Sequence, residues 1–126
     1  MKQLAISMVI LGLIAGLGIW TNNLLQKSAQ HLASHIDSVV TEINDDRWAE
    51  ALNHTEELEK SWRDQVSWWP IILDHQEIDN IEFSLAKVKE YVANKDKSLS
   101  LGQLSELRLM IEHIPAKEAV TLKNIL

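Results

Sequence analysis

The chain has 126 residues and a formal net charge of −6, and it contains no cysteine. This length suits one domain rather than two, and the acidic balance argues against nucleic acid as a partner. The lack of cysteine excludes disulfides and thiolate metal sites.

The first feature of the chain is an apolar run from Leu4 to Trp20, in which Ser7 is the only polar residue. As a helix it would span about 25 Å, slightly less than the roughly 30 Å core of a bilayer. Lys2 before the run and Trp20 at its end suit the two interfaces of a membrane. The run therefore predicts a transmembrane helix embedded in the lipid bilayer.

A cleaved signal peptide is the alternative for this segment, with Gly16 and Gly18 as weak small-residue positions for cleavage. The helical pattern continues past Trp20, which favours an uncleaved anchor. Lys2 precedes the span and acidic residues follow it. The N-terminus is therefore predicted to lie on the cytoplasmic side of the cell membrane, and the chain after the span on the outer side. The predicted organisation is a cytoplasmic stub at 1–3, a single-pass transmembrane anchor at 4–20 and an extracytoplasmic helical bundle at 21–126.

Within the span, Gly12 and Gly16 lie four residues apart and form a flat stripe. Such a stripe allows close approach of another helix, although glycine is also common in membrane helices generally. We expect either self-association through the span or contact with another membrane protein.

Helix 1 is predicted to continue directly out of the span, because apolar residues recur at alternating intervals of four and three residues. This seam consists of Leu25, Ala29, Leu32, Ile36, Val39 and Ile43. Helix 2 is predicted from about Arg47 to Trp69, where Pro70 ends or kinks it. Its inner stripe repeats every seven residues, at Trp48, Thr55, Trp62 and Trp69.

Helix 3 is predicted from about Ile71 to Asn94, followed by a polar loop at 94–98. Its apolar seam is predicted at Ile78, Ile81, Leu85, Val88 and Val92. Helix 4 is predicted to begin near Ser100 and to stop at Pro115. The tail after it is too apolar to be free in water, and we expect a short extra helix that packs back.

The predicted fold is therefore all-α: a transmembrane helix that continues into an antiparallel four-helix bundle. In this topology Trp68, Trp69 and His113 lie at the membrane-proximal end, near Trp20. Adjacent helical residues diverge by about 100°, so Trp69 belongs to the same seam as Trp62 and Trp68 must face elsewhere. These tryptophans, with Gly12 and Gly16, are the candidate interaction residues.

The densest polar segment carries Asp74, His75 and Asp79. Pairing of helices 3 and 4 would place His113 roughly opposite Ile81, within about two turns of His75. A metal site or a general base is one interpretation of this cluster. The interpretation we favour is that Asp74 caps helix 3 and that His75 satisfies a local partner. No histidine has a glutamate three residues before it, as helical carboxylate metal sites require.

Nothing in the sequence predicts an enzyme or a cofactor. It has no Gly-x-Ser-x-Gly segment and no phosphate-binding glycine loop. His31 and His35 lie one turn apart without an evident third ligand, which favours a solvated pair over a metal site.

The segments Asp46-Arg47-Trp48, Trp68-Trp69, Asp74-His75-Gln76-Glu77-Ile78-Asp79 and His113-Ile114-Pro115 together resemble a known group. It is a family of small uncharacterised single-span membrane proteins of Gram-positive, often spore-forming bacteria, catalogued as a domain of unknown function. The resemblance covers nearly the whole chain and implies no activity, catalytic residue or ligand.

Three functions are consistent with these observations. The leading hypothesis is a non-enzymatic interaction or structural module for another membrane or envelope protein. The alternative is a metal- or ligand-binding module around His75, Asp79 and His113. A sensor is disfavoured, because the predicted topology leaves only three residues in the cytoplasm.

Overall fold

The computed structural model describes the backbone of residues 1–67, 69–71 and 73–125, and the side chains of 1–67, 69–70 and 73–114. Across these residues the chain is helical and contains no strand. In chain order its elements are α1 (Lys2–Asn44), α2 (Trp48–Val66), a 3₁₀ turn (Trp69–Ile71), α3 (His75–Ala93) and α4 (Lys97–Ile125). The predicted all-α fold is confirmed for the described part of the chain.

The first helix, α1, is unbroken over 43 residues and is therefore about 65 Å long. The predicted continuation of the apolar segment into the bundle is confirmed. The C-terminal half of α1 buries the whole predicted seam: Leu25, Ala29, Leu32, Ile36, Val39 and Ile43. A single helix thus contributes one half to the bundle core and leaves the other half outside it.

The bundle has a cyclic arrangement in which α1 packs against α2 and α4, and α3 packs against the same two helices. Two ion pairs show that α4 runs antiparallel to α1. Lys97 Nζ lies 3.3 Å from Asp46 Oδ1 at one end, and Arg108 pairs with Asp37 further along. The predicted antiparallel four-helix bundle is confirmed.

The stripe of α2 follows the predicted interval of seven residues. Thr55, Trp62 and Trp69 are buried and Trp48 is partly buried. The helix itself ends at Val66, earlier than predicted, and Trp69 lies in the 3₁₀ turn that follows. Pro70 disfavours α-helical geometry at the residue before it, so the chain leaves the helix before it reaches the proline.

The starts of α3 and α4 also differ from the predicted positions. α3 begins at His75 rather than near Ile71, because the side chain of Asp74 caps it by accepting from the Gln76 amide at 3.3 Å. α4 begins at Lys97 rather than near Ser100, where Asp96 Oδ1 accepts from the Leu99 amide at 3.0 Å. In both cases an aspartate just before the helix fixes the boundary.

The prediction that helix 4 stops at Pro115 is wrong, because α4 continues without a break to Ile125. Residues 116–125 are therefore the end of α4 and not a separate helix. Proline within a helix removes one backbone hydrogen bond but does not always end it. The residues after it, Ala116, Lys117, Glu118 and Ala119, are strong helix formers. The contacts of the side chains beyond Ile114 lie outside the described residues.

The turns after α1 and α3 have the same geometry. In each, one residue has a positive φ of 57°, Asp46 in the first turn and Lys95 in the second. The amide of the following residue donates to a carbonyl five positions earlier, from Arg47 to Glu42 and from Asp96 to Tyr91. These are the bonds of a Schellman closure, here made without glycine.

Candidate functional site

The apolar half of α1 is not covered by the bundle. Its most apolar 18-residue stretch is 0% buried, and Leu4 and Trp20 expose 70% and 62% of their surface. A helix of this length and composition could cross a membrane or act as a signal sequence. An added Cβ at Gly12 or Gly16 would meet nothing within 4 Å, so this face of the helix is open.

The tryptophans predicted at the membrane-proximal end differ in their surroundings. Trp20 is exposed, whereas Trp69 is completely buried and packs edge-on against Trp62. The predicted seam between Trp62 and Trp69 is confirmed. Burial removes Trp69 from any surface on which a partner could bind. Trp68 lies outside the described residues.

The polar cluster predicted around α3 divides into separate roles. Asp74 is the cap of α3, as the favoured interpretation expected. His75 and Asp79 are exposed on α3, and His113 is exposed on α4. No three acidic or histidine side chains among the described residues are placed to hold a metal ion. The metal interpretation of the cluster therefore has no support in the described geometry.

His113 instead lines a cleft of about 280 Å³ between α3 and α4. Its floor is apolar, and carboxylates stand on both sides, Glu77 on α3 and Glu106 on α4. The described residues around it are Glu77, Asn80, Ile81, Glu106, Leu109, Met110, His113 and Ile114. The predicted position of His113 opposite Ile81 agrees with this cleft.

Exposed apolar side chains lie on the same pair of helices. Beyond the apolar half of α1, the described part of the chain has three exposed large apolar residues: Phe83 at 64%, Leu99 at 50% and Leu109 at 54%. Phe83 belongs to α3, and the other two belong to α4. The surfaces of α1 and α2 show no residue of this kind within the described bundle.

A second groove of about 300 Å³ lies between α2 and α3. Trp62 Nε1 donates to Glu82 Oε1 at 3.4 Å within it, and Lys89 Nζ lies 3.3 Å from Glu59 Oε2 nearby. These paired polar groups bridge the two helices. The groove is therefore part of the packing between α2 and α3.

The histidines of α1 lie beside polar groups of α2. The rings of His31 and His35 meet edge-on with centroids 4.8 Å apart, and His54 Nδ1 lies 3.3 Å from Glu57 Oε2. Partial burial lowers the pKa of His35, and the neighbouring His31 lowers it further, while Glu57 acts in the opposite direction. This polar group is held by pairwise contacts and forms no ligand set for a metal among the described residues.

The cleft between α3 and α4 was not predicted from the sequence. One available signal was Phe83, an aromatic residue outside the seam of its helix, and another was Leu109, two positions after the buried Leu107. Single exposed apolar residues are common on protein surfaces and do not by themselves indicate a binding site. Their significance depends on the pairing of the two helices.

Residues 19–125 match the family described as a domain of unknown function (DUF4363). The matched region begins at the end of the apolar stretch and includes the whole helical bundle. Comparisons with curated proteins and with solved structures find no match to the chain. Because the match covers most of its length, the chain belongs to this family of unknown function.

Proposed function

We propose that this protein is a single-pass membrane protein whose extracytoplasmic helical bundle binds another membrane or envelope protein. The observation that carries the proposal is the division of α1. One half is buried in the bundle, and the other exposes a continuous apolar surface from Leu4 to Trp20. In water such a surface would be strongly unfavourable, whereas a bilayer accommodates it.

The proposed orientation follows from charge. Lys2 lies before the apolar stretch, and the bundle that follows is acidic. The positive-inside tendency places the N-terminus in the cytoplasm. Because α1 does not break after Trp20, the bundle stands directly on its membrane helix.

The proposed activity is binding rather than catalysis. The contact that we propose is with another membrane protein. Gly12 and Gly16 offer one such contact within the membrane, where small residues allow helices to approach closely. Self-association through this face is the simplest form of the contact.

Topology can be tested by cysteine labelling, because the natural chain contains no cysteine. A single cysteine at the exposed Glu56 should react with a membrane-impermeant maleimide in intact cells. A cysteine at Gln3 should react only after the cells are opened. If both cysteines reacted only in opened cells, the proposed orientation would be contradicted. Release of the bundle without its N-terminal segment would support the signal sequence instead.

Binding through the span can be tested by crosslinking in intact cells, followed by mass spectrometry. Gly12→Leu and Gly16→Leu should each reduce adducts with another membrane helix, because the leucine side chain prevents close approach. Ser7→Leu places the same side chain on a different face of the helix and serves as the matched control. Recovery of only the monomer, or equal loss in all three variants, would overturn this contact.

A further inference from the structure

We infer that the face formed by α3 and α4 is the docking surface of the bundle, and that it receives a basic amphipathic helical segment of a partner protein. This inference rests on the proposed binding function and identifies where and to what the bundle binds. The observations that carry it are the cleft lined by Glu106, Met110 and the exposed Leu109, and the exposed Phe83 one helical turn beyond Asn80.

The shape of this surface suits a helix. A groove between two antiparallel helices accepts a third helix that inserts side chains at intervals of three or four residues. The cleft of about 280 Å³ has room for only one or two such side chains. Leu109 lines the cleft and is 54% exposed, and the exposed Phe83 lies one helical turn beyond the lining residue Asn80 on α3.

The charge of the surface specifies the partner. Glu106 borders the apolar floor, where its carboxylate accepts a hydrogen bond from the neutral amide of Gln103 at 3.3 Å. None of the described residues lining the cleft is lysine or arginine. Lys87 lies two turns beyond Asn80 on α3 and is not among the described residues that line the cleft. A lysine or arginine beside apolar anchors would complement both features.

The position of the cleft along the bundle places it within reach of a partner segment close to the membrane. The ion pair between Arg108 and Asp37 sets the register of α4 on α1. In that register His113 lies about 18 Å along α1 from Trp20, the end of the apolar stretch. A segment that leaves the membrane next to this protein can therefore reach the cleft.

Site-specific photocrosslinking of the full-length protein in its own cells tests the inference. A photoreactive amino acid is placed at Leu109 in the docking surface, at Glu56 on the exposed side of α2 and at Gly12 in the span. We expect a protein adduct from Leu109 at least about tenfold stronger than from Glu56. The crosslinked peptide should carry lysine or arginine together with apolar residues three or four positions apart.

A charge reversal provides the matched comparison. Glu106→Lys, introduced with the crosslinker at Leu109, should reduce the adduct at least about fivefold, because it places like charges in contact. Glu56→Lys changes the net charge equally and should leave the adduct unchanged. Circular dichroism of both purified variants verifies that the helical content is retained.

The outcomes separate this inference from the proposed function. An adduct from Gly12 but none from Leu109 would overturn the docking surface and leave the membrane contact intact. A Leu109 adduct with lipid, a second copy of this chain or an acidic segment, or one insensitive to Glu106→Lys, would also overturn the docking surface. Absence of protein adducts from all three positions would overturn both proposals.

Discussion

Trp69 packs edge-on against Trp62, with 5.1 Å between the ring centroids and 86° between the ring planes. Trp62 belongs to α2 and Trp69 to the 3₁₀ turn that follows it. Trp69 is 0% exposed and Trp62 is 2% exposed. This pair closes the end of the core at which the chain passes from α2 to α3.

Replacement of Trp69 by alanine should therefore destabilise the bundle. Loss of a buried tryptophan leaves a cavity and typically lowers the free energy of unfolding by about 3–5 kcal/mol. Urea unfolding of the detergent-solubilised protein, followed by near-ultraviolet circular dichroism, measures the change. Trp20→Ala is the control, because Trp20 is exposed. This substitution should change the free energy of unfolding of the bundle by no more than about 0.5 kcal/mol. Equal effects of the two substitutions would contradict this role for Trp69.

The cap of α3 provides a second prediction. Asp74→Ala removes the acceptor of the Gln76 amide and should lower the free energy of unfolding by about 1 kcal/mol. Asp74→Asn retains an acceptor at the cap and should lower the free energy of unfolding much less. Thermal unfolding of both variants, with and without zinc, measures the difference. A zinc-dependent stabilisation of the natural protein that Asp74→Asn abolishes would instead favour a metal site.

The turn between α3 and α4 contains Lys95 at a φ of 57°. The left-handed backbone conformation costs a residue with a side chain roughly 1–2 kcal/mol more than it costs glycine. Lys95→Gly should therefore stabilise the bundle, by about 1 kcal/mol once the greater freedom of glycine in the unfolded chain is included. The midpoint of urea unfolding checks this prediction. Lys87→Gly is the control, because Lys87 is exposed to solvent in the middle of α3. This substitution should destabilise the bundle by a similar amount.

The continuity of α4 through Pro115 predicts the effect of removing that proline. Pro115→Ala restores a backbone donor within a helix and should raise the free energy of unfolding by up to about 3 kcal/mol. Helical content by far-ultraviolet circular dichroism should stay the same or rise slightly. If the substitution instead left stability unchanged while helical content rose by several residues, the helix of the natural protein would end before the proline.

The stability of the bundle should decrease as the pH falls below the ordinary histidine pKa of 6.5. The pKa of His35 is lowered in the folded protein, so in this range the unfolded chain binds more protons than the folded one. His35→Gln should therefore flatten the dependence of the thermal midpoint between pH 7.5 and 5.5. His31→Gln should flatten it partly, because His31 contributes to the lowered pKa. An unchanged slope in His35→Gln would assign the dependence to other groups.

The helices themselves were predictable because their signals are local. The seams from Leu25 to Ile43 and from Ile78 to Val92 repeat at helical intervals, and every predicted seam residue in these two helices is buried. Asp74 was recognisable as a cap because short acidic side chains satisfy the first amides of a helix. These features require only the residues within a few turns of each other.

From the sequence alone one can derive an apolar segment long enough to cross a membrane, an all-α bundle and the inward faces of its helices. Packing of the helices resolves competing local preferences: α2 ends at Val66, so that Trp69 reaches the core from a 3₁₀ turn, and α4 passes through Pro115. It also decided that Glu77 and Glu106 border one apolar cleft with His113. These residues belong to different helices, and their proximity depends on the register in which α3 and α4 pack.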